Sequence, residues 1–450
     1  MPAIAFAAPE ITQAAGHLDL GVESAATARA RRSGDGYTVS GIEWMPDDAY
    51  EIRESLRLAV RSAGWATCLT QTARAGDVPV FLHTHPHGAA MFSEADDGVD
   101  RVIGETLRRV ADCRIFLSAV IAGSRSHPRI TARRVIDGRP GTPEAVRVAG
   151  AGVTVHGAPA LDAGLDLIDV FDRQNRALGP QGRRLLGNLT VGIVGAGGTG
   201  SPTAEQLQRL GIHHLILVDD DVVTPSTPTR GTGTGLADLG RPKVDVIADL
   251  NTRIGLGATT VEPIALNVRA PRAIDALSRC DLVFGCTDGH ASRLVLNRLA
   301  YWHLVPVIDM GVLVSSTADG GITGVHARVT LIGPGAACLL CRQRVDPAIA
   351  AAELLDPAER RARAAQGYVP DLADPAPSVV SYTTMISTYA VTEFLHRLFH
   401  IGDHPYTELL LQLDQPAVRL NDRPGRPGCF CTDPTRWGRG SVEPPLDLVA

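Results

Sequence analysis

His83-Thr-His85-Pro-His-Gly-Ala-Ala-Met-Phe-Ser93-Glu-Ala-Asp96 follows directly on an apolar run, Val78-Pro-Val-Phe-Leu82, that reads as a strand. Two histidines at alternate positions leaving a strand point to one side, so both rings reach a single ion. Asp96 offers a third, hard ligand and leaves a fourth position for water, as catalytic zinc requires. The Ser93 hydroxyl, close to that water, is placed to donate to a developing oxyanion. His-x-His alone is more often a surface turn with incidental histidines. The whole spaced set points to a metal-dependent hydrolase.

A second set begins at Thr190-Val-Gly-Ile-Val194, a short buried strand, followed by Gly195-Ala-Gly197-Gly198-Thr-Gly200. Glycines let the backbone approach phosphate, and the start of the following helix offers it unpaired N–H groups. Asp219 ends the next strand, Leu215-Ile-Leu-Val218, near the offset expected for a ribose ligand. On the glycines alone, a nicotinamide dehydrogenase is an equal reading. Arg230, Lys243 and Asp288 tip the balance: two cations suit a triphosphate, and a carboxylate at a strand end suits Mg²⁺. Lys243 is the only lysine among 43 basic residues, which marks a position where a compact point charge is needed.

Cysteines supply a third pattern. Cys338-Leu-Leu-Cys341 and Cys429-Phe-Cys431 give four thiolates in two close pairs, the set a structural tetrahedral Zn²⁺ takes. Cys68, Cys113, Cys280 and Cys286 stand alone in or beside apolar runs and read as core.

These sets must be carried by more than one domain, since 450 residues is about three times the single-domain prior. Hydrophobic residues at 44% describe a folded chain. The net charge of −6 argues against a nucleic-acid partner. No apolar run reaches the roughly 18 residues of a membrane span, and the start lacks a basic signal region, so a cytoplasmic location is expected. Tyr37–Ile42 and Arg114–Ala122 read as strands and Glu51–Ala63 as an amphipathic helix. Beyond Leu165 the rhythm of strand, glycine turn and helix argues for a parallel α/β sheet. Glu353 to Arg363 reads as a solvated helical face, and Val379 to Phe399 as a packed or interfacial helix. The expected division is a first domain over 1–137, a Gly/Pro-rich linker over 138–164, a second domain over 165–437 and a disordered tail over 438–450.

The first set, from about Gly16 to Ile136, resembles the JAMM/MPN metallopeptidases, whose signature spacing from His83 to Asp96 it meets in full. That resemblance implies an α+β, cytidine-deaminase-like domain with an upstream glutamate as general base. Glu23 is the choice, with Glu43 as runner-up. The second half, about Phe171 to Cys431, resembles the ThiF/MoeB adenylating family. The resemblance implies ATP-dependent activation of a C-terminal carboxylate and a homodimer, with Arg173 of Phe171-Asp-Arg173-Gln174 reaching the neighbouring subunit's ATP. The nucleotide set is then Gly195, Gly197, Gly198, Gly200, Asp219, Asp221, Thr227, Arg230, Lys243 and Asp288. Thr227 replaces the family's asparagine, which implies weakened ATP binding. No cysteine lies between Asp346 and Leu411, where thioester-forming relatives carry theirs, and the segment Gly367–Ser378 offers none.

The combined expectation is a bifunctional enzyme using two zinc sites, ATP and Mg²⁺. One centre adenylates the Gly-Gly terminus of a small ubiquitin-like or sulfur-carrier protein, and the other cleaves bonds beyond it. Tailoring of a ribosomal peptide and an inactive binding scaffold are the alternatives.

Overall fold

The computed structural model describes residues 3–150, 152–156, 170–317, 319–366, 377–415 and 417–442. Two large sheets carry the chain, of nine and eight strands.

The first contains β1 (Ala3–Ala7), β2 (Ala25–Ser33), β3 (Gly36–Trp44), β6 (Val78–His85), β7 (Ile115–Gly123), β8 (Pro128–Ile136), β9 (Arg139–Pro140), β10 (Ala145–Ala149) and β11 (Val153–His156). Their order is β11-β10-β1-β3-β2-β6-β7-β8-β9. Helix α1 (Ala8–Ala15) closes one face, where Ile11 packs with Ile4, Leu82 and Leu117. Helices α2 (Ser62–Arg74) and α3 (Glu94–Ala111) close the other, where Trp65, Leu69, Ile103 and Leu107 meet Phe81 and Phe116. β6 and β7 are parallel, joined by α3 as the crossover.

Three expectations change here. Of the expected helix over 51–63 only Ser62 and Ala63 are helical: β4 (Tyr50–Arg53) and β5 (Leu58–Val60) form a small hairpin, and α2 starts only at Ser62. Leu56, Leu58 and Val60 alternate with period two, a pattern that a short helical window also accommodates. The expected linker holds β9, β10 and β11, with β10 pairing in parallel to β1 over five residues. Its glycines and prolines hid a strand whose partner lies at the chain's beginning. Part of the expected tail is also ordered. Gly438 N–H donates to Tyr301 O (2.9 Å), and Thr38 Oγ1 donates to Gly438 O (2.9 Å). Residues 443–450 lie outside the described residues.

The second sheet runs β14 (Thr260–Ile264), β13 (His214–Val218), β12 (Thr190–Val194), β15 (Leu282–Gly285), β16 (Val307–Ser316), β17 (Ile322–Ile332), β18 (Glu408–Gln412), β19 (Ala417–Asn421). The first five are mutually parallel and the last three antiparallel. It is a Rossmann-like, mostly parallel α/β sheet. Helices α5 (Gly200–Arg209), α6 (Lys243–Ile254) and α11 (Val380–Leu398) cover one face through Leu207, Ile247, Ile386 and Phe394. Helices α7 (Pro271–Ser278) and α8 (His290–Trp302) cover the other through Leu277, Leu296 and Leu299. Helix α4 (Asp172–Leu186) precedes β12 and breaks at Gly179. Short helices α9 (Pro347–Glu353) and α10 (Pro357–Ala365) follow the sheet's antiparallel turn. Among the described residues, no helix is long and apolar enough to cross a membrane.

The two sheets share core. Ala5, Ala7 and Ala149 of the first pack in one cluster with Leu277, Val283 and Leu299 of the second. Arg147 on β10 is fully buried and donates to Leu304 O (3.0 Å), His303 O (3.3 Å) and Cys280 O (2.5 Å).

Candidate functional sites

His83 and His85 lie on the same side at the end of β6, and their Nε2 atoms are 3.0 Å apart. His83 Nε2 is also 3.0 Å from Asp96 Oδ1. Asp96 arrives there through local helix chemistry. Ser93 is the N-cap of α3 and accepts Asp96 N–H, while Asp96 Oδ2 accepts Ser93 N–H at 2.6 Å. This capping box turns the other carboxylate oxygen toward the histidines. The Ser93 hydroxyl, expected to face an oxyanion, donates instead to Asp96 Oδ2 (2.7 Å). Burial works against the Asp96 charge, but bonds from His83 and Ser93 outweigh it and hold the carboxyl well below its usual range.

One ligand atom from each of His83, His85 and Asp96 lies within 4.8 Å of the others. His85 Nδ1 sits 3.0 Å from Ala89 O, which keeps the proton there and leaves Nε2 a lone pair. The donor set therefore fits a divalent zinc with an open position. Glu23 lines the same cavity of about 520 Å³ and is buried. Burial raises its carboxyl above the ordinary value, partly offset by His83. Its N–H donates to Glu54 O (2.8 Å), so the β4–β5 hairpin holds this glutamate and walls the cavity. Glu43 is exposed on β3, outside the lining.

The second site lies at the carboxyl ends of the parallel strands. Gly195 follows β12 directly with φ +95°, and a Cβ there would fall 2.5 Å from Cys286 O. A Cβ on Gly200 would fall 1.8 Å from Gly195 O, so the turn closes only with glycine. Gly197 faces open space, and Gly198 lies against Arg230 and Thr383. Asp219 accepts Ala196 N–H (2.5 Å) through one oxygen and Asp221 N–H (2.7 Å) through the other. Burial raises its carboxyl, with these bonds and Lys243 opposing. Lys243 starts α6, is buried, and donates to Asp221 Oδ2 (2.7 Å). Asp288 is exposed beside this loop and Arg173 is exposed on α4, while Arg230 is half-buried and donates to Ser226 O (3.3 Å). Thr227 is buried, and its hydroxyl accepts Thr224 N–H (3.0 Å), a role within its own turn.

Sequence reasoning missed the residues behind Asp288. Arg293 donates to Asp288 O (3.1 Å) and pairs with the fully buried Asp309 (3.3 Å), which Arg328 also holds (2.5 Å). Glu353 is not merely solvated: it accepts His290 N–H (3.0 Å) and Ala291 N–H (2.7 Å). No local pattern joins positions so far apart along the chain.

Cys338, Cys341, Cys429 and Cys431 bring their sulfurs within 4.8 Å of one another, unbridged. Cys338–Cys429 and Cys341–Cys431 separations are 3.6 and 3.7 Å. A tetrahedron with Zn–S of ~2.3 Å has edges of about 3.8 Å, so the thiols fit that ion. Cys280 and Cys286 are buried, and desolvation pushes both thiols upward, Cys286 to about 12. Most of the 367–378 segment lies outside the described residues.

A mostly parallel sheet with a glycine turn over one of its inner strands and acids at adjoining strand ends defines a Rossmann-like α/β domain. The sequence model described as the ThiF family matches residues 171–430, and the chain belongs to that family. The SAMP-activating enzyme E1 of Haloferax volcanii is 27% identical over 176 residues, 38% of this chain and 61% of that protein. The probable adenylyltransferase/sulfurtransferase MoeZ of Mycobacterium tuberculosis is 35% identical over 127 residues, 27% of this chain and 31% of that protein. The chain thus spans about a third to three fifths of these curated relatives. A crystal structure of Escherichia coli MccB with ATP aligns over 58% of this chain and 74% of that one, at 17% identity and TM-score 0.45.

Proposed function

We propose that the second domain adenylates the C-terminal carboxylate of a small ubiquitin-like or sulfur-carrier protein ending in Gly-Gly. The carboxylate oxygen attacks the α-phosphorus of ATP, and pyrophosphate leaves with its bonding electron pair. The observation that carries this reading is the closed Gly195–Gly200 turn beside Asp219 and buried Lys243, in a chain of the ThiF family. Lys243 and Arg230 neutralise the phosphates, Asp288 holds Mg²⁺, and Asp219 orients the ribose. Arg173, exposed on α4, serves the site of a second copy in a homodimer. No accessible thiol accompanies the site among the described residues, so the acyl-adenylate passes to a nucleophile on another molecule.

The first domain, on this reading, is a JAMM/MPN-type hydrolase that cleaves beyond the same Gly-Gly. Zinc on His83, His85 and Asp96 would supply Lewis acidity to a water. Glu23 takes the proton from the attacking water, and Ser93 holds Asp96 in place. Four cysteines hold a second, structural zinc. The supporting observation is the convergence of three ligands and a buried carboxylate on one cavity.

ATP–pyrophosphate exchange with small Gly-Gly proteins, each then offered as a C-terminal fusion, tests both halves. Exchange and cleavage that require the same terminus are expected. Exchange with none of them would sink the adenylation reading. Exchange without cleavage would sink the hydrolase.

A further inference from the structure

Glu353 belongs to no residue set assigned above to binding or chemistry. It ends α9, and its two carboxylate oxygens accept the N–H groups of His290 and Ala291 in the first turn of α8. A helix start leaves such groups unpaired, and its dipole favours a negative charge there. The other end of α9 is fastened to the same turn, since Asp346 N–H donates to His290 Nδ1 (2.9 Å). Gly289 lies between: a Cβ on it would sit 3.4 Å from Glu353 Oε2. Asp288 immediately precedes this clasped turn. Arg293 holds the Asp288 carbonyl and is itself fixed by buried Asp309. The Asp288 carbonyl is therefore held directly and the backbone two and three residues on is clasped by Glu353, while Asp288 itself is exposed.

We propose that Glu353 is a positioning residue for Mg²⁺-dependent ATP binding. By capping α8 it fixes the backbone from which Asp288 presents its carboxylate. The inference rests on the nucleotide reading given above.

The test is calorimetric titration of ATP into the full chain across a Mg²⁺ series, for the wild type, Glu353→Gln, Glu353→Ala and, as reference, Asp288→Ala. The expected result is a Mg²⁺ half-saturation raised about tenfold in Glu353→Ala, the range typical of lost outer-shell support for a metal ligand. Glu353→Gln keeps one acceptor and should fall between. At saturating Mg²⁺ both variants should recover ATP affinity, which a merely structural defect would not do. A folded variant with the wild-type half-saturation overturns the proposal, as does a loss that Mg²⁺ cannot restore. If Glu353→Ala does not fold, Glu353→Gln decides. A wild type whose ATP binding ignores Mg²⁺ would overturn the nucleotide reading and this inference together.

Discussion

The two centres are built in opposite ways. In the first, one strand end, one turn and one helix start deliver His83, His85 and Asp96 within a span of 14 residues, already converged. Local geometry does nearly all of it: pleat alternation aligns the histidines and a capping box aims the carboxylate. In the second, the groups come from separate strand ends and helices, and several are exposed with no mutual contact shown. A single metal ion can be caged by neighbours in sequence. A nucleotide is long, so its cradle must be assembled from several crossovers at one sheet edge.

Removing one of the proposed metal ligands is expected to give the largest effect. Asp96→Ala or His85→Ala should lower peptide cleavage by more than about a hundredfold and leave pyrophosphate exchange near wild type. Metal analysis should find two zinc ions per chain, with mild chelation removing only the one in the open cavity. Parallel loss of both activities in a folded variant would contradict their chemical separation.

Mechanical separation is a different matter. Arg147→Ala strands three buried carbonyls between the sheets and should cost about 3 kcal/mol of stability. A single, lowered melting transition reported alike by probes in both sheets is the expected outcome. Two transitions, with only the first sheet affected, would mean the shared core couples them weakly.

A smaller effect separates charge from shape in the nucleotide site. Lys243→Arg should slow exchange about tenfold, because a planar guanidinium does not fit the buried place of a compact ammonium beside Asp221. Exchange at the wild-type rate in this variant, with loss in Lys243→Ala, would show that charge alone matters. The smallest change is expected from the isolated thiols. Replacing Cys68 or Cys113 should leave exchange unaltered, and gels without reductant should show no enzyme–carrier adduct. An adduct lost in any single variant of Cys68, Cys113, Cys280 or Cys286 would reverse that.

Much was written in the sequence wherever the determinants are local. The His-Thr-His-Pro run, the Ser93–Asp96 spacing, the glycine turn after Thr190–Val194 and the strands around Tyr37, Val78 and Ile115 all depend on neighbours within a few residues. Their physics is pleat, cap and turn. Tertiary structure alone decided the rest. It made residues 50–60 a hairpin, because the turn at Glu54–Arg57 and the wall of a cavity suited strands where periodicity allowed both forms. It recruited the supposed linker as β10, because an unpaired edge of β1 offered a parallel partner. It brought Glu353 behind Asp288 and set Arg147 of β10 against the carbonyls of Cys280, His303 and Leu304. Hydrogen-bond partners far apart along the chain leave no period or spacing to read, because only packing of the finished sheets brings them within 3 Å.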